Sequence, residues 1–160
     1  MEYFVDDSTS SDLAEDLENP ALRALFSYWT DKRGVRAWPA RSDFDPLDLK
    51  PLLGHLALLD VIRTNAADAS PRFRYRLFGT AFAEWFGFEM TGRMIDDWPV
   101  PEYRAVMTAS YREVVSAGRP FRRLRRFIKD GRLLRYEAVM LPLGTGPLVD
   151  MVLVAQVFID

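Results

Sequence analysis

The chain has 160 residues, is 49% hydrophobic, and carries a formal net charge of −2 with one histidine and no cysteine. A chain near this size buries about two-thirds of the surface its unfolded form exposes, so one domain with a substantial core is expected, while the lack of cysteine excludes disulfides, thiolate nucleophiles, cysteine-ligated metal, iron-sulfur clusters and cysteinyl-flavin photochemistry. No basic region followed by an apolar run opens the sequence, and no stretch reaches the roughly 18 apolar residues of a membrane span, so a soluble, cytoplasmic protein is expected.

Seven acids and no base fall in residues 1–18, which leaves the other 142 residues with a net charge of +5. The first ten residues are polar and aperiodic and read as a mobile tail; residues 1–18 as a whole form an acidic, partly disordered segment in which Leu13, Ala14 and Leu17 can build a short helix. Asn19 is a good N-cap ahead of Pro20 at the first helical position. Leu22, Leu25, Phe26 and Trp29 recur at i, i+3, i+4 and i+7, and Gly34 is a natural stop, which predicts an amphipathic helix over 20–32. Residues 38–51, WPARSDFDPLDLKP, are turn chemistry: Asp45 can cap a short helix begun by Pro46, and Asp43 and Asp48 suit turn closures. Residues 19–54 are thus a helix and a proline-rich connector.

Residues 55–62, HLALLDVI, read as an apolar strand, and 63–72 as a long polar hairpin loop. The strand at 73–79 alternates, with Phe73, Tyr75 and Leu77 assigned to one face and Arg74, Arg76 and Phe78 to the other. Residues 80–99 pack Phe82, Trp85, Phe86, Phe88, Met90, Met94, Ile95 and Trp98 into short helical pieces broken by Gly87, Gly92 and Pro99, the density of an interior lining. Residues 101–117 form one helix with Tyr103, Val106, Met107, Tyr111, Val114 and Val115 on a common side.

Strands are predicted over 121–129, 133–143 and 149–159. Asp130-Gly131 between the first two is a strong hairpin signal. The last strand is apolar throughout, as expected of a central strand. The first, FRRLRRFIK, suits a sheet edge, where positive charge discourages aggregation. Residues 119–135 hold eight bases against Asp130 alone.

Two strands, a helical connection and three strands make an α+β fold: a five-stranded antiparallel sheet with helices on one face and an added N-terminal helix, the main unit being residues 55–160. That order resembles a PAS domain. At residue level the chain is similar to small bacterial single-domain PAS-like proteins, through Tyr28-Trp29, Pro39-x-Arg41-x-Asp43-x-Asp45-Pro46, His55, Phe73-x-Tyr75-Arg76-x-x-Gly79-Thr80, Thr91-Gly92-Arg93, Gly118-Arg119-Pro120, Arg135-Tyr136-Glu137 and Leu141-Pro142. The resemblance implies strand order 2-1-5-4-3, a pocket between the sheet and the connecting helices, and a role in sensing or protein interaction.

The residues bound the chemistry further. A single histidine, and none on the 101–117 helix where the resemblance would place a haem ligand, disfavours haem and metal; His55 reads as structural. No serine elbow or second histidine supports nucleophilic catalysis, so no catalytic residue and no enzymatic activity are expected. The candidate pocket is Phe73, Tyr75, Leu77, Phe82, Trp85, Phe86, Met94, Met107, Tyr111, Tyr136 and Met140, an interior that fits a noncovalent flavin or another small apolar ligand, or is simply packed. Leu22, Leu25, Phe26 and Trp29 form the candidate interface of a homodimer, with a histidine kinase or response regulator as the class of signalling partner. Arg76 and Glu137 could pair across the sheet. The basic patch of Arg122, Arg123, Arg125 and Arg126 reads either as a solvated edge, as a surface for an acidic partner, or, least of all, as a nucleic-acid contact.

Overall fold

A computed structural model describes residues 3–6, 10–64 and 70–159. Six strands, β1 (Tyr3–Asp6), β2 (Leu56–Ile62), β3 (Arg72–Phe78), β4 (Phe121–Lys129), β5 (Arg132–Leu143) and β6 (Met151–Phe158), form one antiparallel sheet in the order β1-β4-β5-β6-β2-β3. Without β1 this is the five-stranded order 2-1-5-4-3. The Asp130-Gly131 turn between β4 and β5 has both residues at positive φ, 52° and 77°, the conformation that lets a two-residue hairpin follow the strand twist. β6 sits between β5 and β2 and is buried along its middle, as its apolar sequence requires.

Three helices flank the sheet. α1 (Pro20–Arg33) lies against one face; α2 (Thr80–Phe86), a single turn at Ile95–Asp97 and α3 (Pro101–Ala117) lie against the other. The start of α1 follows its sequence closely: the Asn19 side chain accepts from Ala21 N at 2.9 Å and Leu22 N at 3.2 Å, and Gly34 ends the helix at φ 59°. Asp45 caps the Pro46–Leu52 turn, accepting from Leu47 N at 3.0 Å.

Two features depart from the sequence reading. Residues 3–6, expected in a mobile tail, add a strand to β4, and residues 10–18 run on across the sheet with Ala14 and Leu17 buried. Residues 1, 2, 7–9, 65–69 and 160 lie outside the described residues, and with 65–69 the middle of the hairpin loop expected over 63–72. The arginine-rich β4 is therefore covered on its outer side by a segment whose pairing partner is distant in sequence.

The second departure is a β-bulge. Leu58 pairs with Leu77 and Leu59 with Tyr75, so Arg76 is an extra residue that shifts the register. Leu77 consequently turns away from the face of Phe73 and Tyr75, and Phe78 turns onto it. Strict alternation cannot foresee this, because one inserted residue exchanges the faces of everything beyond it.

Candidate ligand site

The face under α2 and α3 is built by strand parity. Phe73, Tyr75 and Phe78 of β3, Phe121 and Phe127 of β4, Tyr136, Ala138 and Met140 of β5, and Val152 and Val154 of β6 all point to it, and Phe82, Trp98, Tyr103, Met107, Tyr111 and Val114 close it from above. Trp98 and Tyr103 stack at 4.3 Å, with Phe86 edge-on to both at 5.0 and 5.3 Å. Phe73 meets Tyr111 edge-on at 5.5 Å. Offset and edge-to-face rings of this kind contribute about 0.5–1.5 kcal/mol per pair beyond area burial.

The centre of this aromatic interior is polar. Arg125 is 1% exposed and donates to Ser110 Oγ at 2.7 Å and to Met107 Sδ at 3.6 Å. Tyr111 also donates to that sulfur, at 3.7 Å. Burial raises the pKa of Tyr75, Tyr103, Tyr111 and Tyr136 above the ordinary tyrosine value, and the Arg125 guanidinium partly offsets this for the last three, which places its charge among their hydroxyls. The Tyr103 hydroxyl lies within loose hydrogen-bonding reach of the Gln156 and Tyr136 side chains, which also lowers its pKa somewhat. Yet the Tyr136 hydroxyl, the Gln156 side-chain carbonyl and the Trp98 indole N–H are buried without a hydrogen bond of sound geometry. Native interiors leave few such groups, and each calls for a ligand, a water or a functional reason.

The opposite face is closed differently. Leu22, Leu25 and Trp29, expected at an interface, are 0, 2 and 2% exposed and pack α1 onto the sheet, with Trp29 Nε1 donating to Pro142 O at 2.9 Å; Phe26 is half-buried. They form a second core inside the chain. The cross-strand pair expected of Arg76 and Glu137 is also redistributed. Arg76 bonds Asp60 at 3.0 Å, and Glu137, 2% exposed, takes Arg122 Nε at 2.7 Å. The same carboxylate accepts from Glu18 N at 2.9 Å and Asn19 N at 2.8 Å, and Arg122 Nη1 donates to Ser11 O at 3.0 Å. One buried ion pair thus fastens residues 11–19 and the start of α1 to the sheet, with the carboxylate on the favourable end of the helix dipole.

The basic patch comes apart in the same way. Arg122 enters one face and Arg125 the other; Arg123 bonds Glu113 at 2.9 Å and is half-buried, and Arg126 alone of the four is exposed. The register ambiguity of FRRLRRF is settled by Phe121 and Phe127, whose common parity carries Arg123 and Arg125 inward with them.

Of the candidate pocket residues, Phe73, Tyr75, Phe82, Met107, Tyr111, Tyr136 and Met140 come together in the interior, with Phe86 packed beside them. Trp85 instead stacks on Phe158 at 3.4 Å and borders a shallow surface hollow with Glu84, Asp130, Arg132 and Leu134. Met94 is half-buried beside the Arg74 bridge, and Leu77 is on the other face. Trp98 is expected from sequence in the interior lining, though not among the pocket residues, whereas Arg125, Ser110 and Gln156 are additions of the structure. Ser110 lies three residues after Met107, the spacing of a shared helix face.

His55 stands at the entry to β2, its Nδ1 buried without a partner. Asp43 accepts from Ala40 N and Arg36, both at 2.8 Å, and these contacts hold its carboxyl below the ordinary range; Asp48 accepts the Tyr28 hydroxyl at 2.8 Å. Among the described residues no group of three or more His, Asp or Glu side chains could hold a metal, and no helix is long and apolar enough to cross a membrane.

No curated protein matches the chain. Among solved structures, an RNA-binding light-oxygen-voltage receptor aligns over 99% of this chain with a TM-score of 0.40 and 14% identity, and the chain spans 38% of that receptor chain. A family model described as PAS domain matches residues 17–151, from the turn before α1 to the start of β6, and the chain belongs to that family.

Proposed function

We propose that this protein is a sensory or regulatory PAS module in signal transduction, a binding protein and not an enzyme, whose input is a small ligand held between the sheet and α2–α3. The observation that carries the reading is a set of buried polar atoms without a hydrogen bond of sound geometry, Tyr136 Oη, Gln156 Oε1 and Trp98 Nε1, the first two close to the Tyr103 hydroxyl, in an interior that also holds Arg125. It refines the expected ligand chemistry: the ligand has an apolar body to lie among the rings and at least one polar head to meet the tyrosine and glutamine tips. Output passes by contact with a second copy or with a signalling protein such as a histidine kinase or response regulator. Native mass spectrometry with an absorption spectrum tests the input. A noncovalently retained small molecule, lost on Tyr136→Phe with Gln156→Leu, is expected; a bare polypeptide mass in every preparation contradicts it.

A second reading has its own observation. Trp98, Tyr103 and Phe86 pack ring on ring, so the interior can also be read as a finished core in a ligand-free interaction protein. Under that reading the bare mass is the expected result.

A further inference from the structure

The bulge in β3 has a consequence on the sheet face away from the tyrosines. By inserting Arg76 it delivers Arg76 and Leu77 together to a cleft of about 380 Å³, walled by Leu49 and Leu53 of the connector and Leu58 of β2, with Arg41 at its rim. This is within the size range of small-molecule sites, about 300–1,000 Å³. The lining residues include two guanidinium groups and no carboxylate. Arg76 shares Asp60 with Arg74, while the Arg41 guanidinium makes no ion pair among the described residues. Leu53 and Leu77 remain 51% and 45% exposed at the mouth. Bulges commonly re-aim side chains beside functional sites, and here both re-aimed side chains belong to one cleft. A strand cannot be the occupant by pairing at the middle of β3, because Tyr75 N and O are already bonded to Arg93 O and Gly92 N at 2.9 and 2.7 Å.

We propose that this cleft binds a single-chain amphiphile with a carboxylate head, its alkyl chain among Leu49, Leu53, Leu58 and Leu77 and its carboxylate between Arg41 and Arg76. The site is separate from the interior one and stands or falls independently of it. Charge complementarity selects the head group: a carboxylate forms an ion pair with guanidinium and can accept two parallel hydrogen bonds, whereas an alcohol of the same chain length offers one neutral oxygen and no ion pair.

The test is a titration of isotope-labelled protein with decanoate, and separately with decanol, both below the concentrations at which they aggregate, followed by amide chemical shifts. Saturable one-to-one binding is expected, with shifts centred on Leu53, Leu58 and Leu77 and a preference for decanoate of roughly tenfold or more. Arg41→Gln should remove most of that preference in a folded protein, and Leu77→Asn should weaken both ligands. Equal affinity for the two, or shifts that never saturate, would overturn the proposal. Shifts confined to Tyr136, Gln156 and α3 would overturn it too, while leaving the interior ligand reading intact. Failure to bind decanoate alongside binding of a leucine-rich helical peptide would assign the cleft to a protein partner and likewise end it.

Discussion

Tyr136 and Glu137 are neighbours on one strand and point to opposite faces of the sheet, and their polar groups are met in opposite ways. Glu137 is saturated: its carboxylate takes Arg122 and two backbone N–H groups. Tyr136 keeps a buried hydroxyl without a sound hydrogen bond, next to a Gln156 carbonyl in the same condition. Arg33 Nε on α1 also lacks a partner, so the contrast lies between these two side chains and not between whole faces: Glu137 is met within the chain, and the Tyr136 hydroxyl is the group that the proposed ligand would meet.

The largest expected effect that probes this difference is on the saturated side. Glu137→Ala leaves Arg122 buried without its carboxylate and strips two N–H groups at the start of α1, so a loss of about 3–5 kcal/mol is expected in denaturant unfolding. The pair Arg122→Met with Glu137→Leu should recover much of it, since an apolar replacement removes the uncompensated charge. Failure of the single variant to destabilise would show that the fastening is not structural.

Next come the two cores, where similar truncations should cost alike and differ only in function. Leu25→Ala and Met107→Ala each remove a buried side chain and should cost about 2–5 kcal/mol. Ligand retention by mass spectrometry should change for Met107→Ala alone; loss in both would erase the division between faces.

A pH scan reads the interior tyrosines as a group. Burial holds Tyr75, Tyr103, Tyr111 and Tyr136 above the ordinary tyrosine value of 10.0, so the fold favours their neutral forms. Their contribution to stability is therefore intact below pH 10.0 and is lost as pH rises from there through their folded values. Stability measured against alkaline pH should fall, and tyrosinate absorbance should appear together with unfolding. Tyrosinate absorbance from these four at pH 10.0 in folded protein would contradict the sealed interior.

The smallest effect is the most diagnostic. Tyr136→Phe deletes a hydroxyl that has no sound partner, so ligand-free stability should change by less than about 1 kcal/mol and can rise. Its expected consequence is on ligand retention alone.

The sheet, its order and its helices were legible because each depends on local signals: Asn19-Pro20 and Gly34 for α1, Asp130-Gly131 for a hairpin, a 3.6-residue period over 101–117. The aromatic half of the site was legible for the same reason. What was not legible depends on registers and on partners far away in sequence. β1 needs the exposed edge of β4, the bulge at Arg76 shows no composition signal, and the arginines of β4 divide between faces only once Phe121 and Phe127 set the parity. Leu22, Leu25 and Trp29 had the pattern of an interface because a helix that packs on its own sheet and a helix that packs on a partner bury the same stripe.

Amide hydrogen exchange on the protein as purified, and again after any bound small molecule has been stripped by unfolding and refolding, tests the division of the two faces most directly. Stripping should lower protection in α2 (Thr80–Phe86) and α3 (Pro101–Ala117) while α1 (Pro20–Arg33) keeps its protection. Equal loss in α1, or no change in any of the three, would contradict that division.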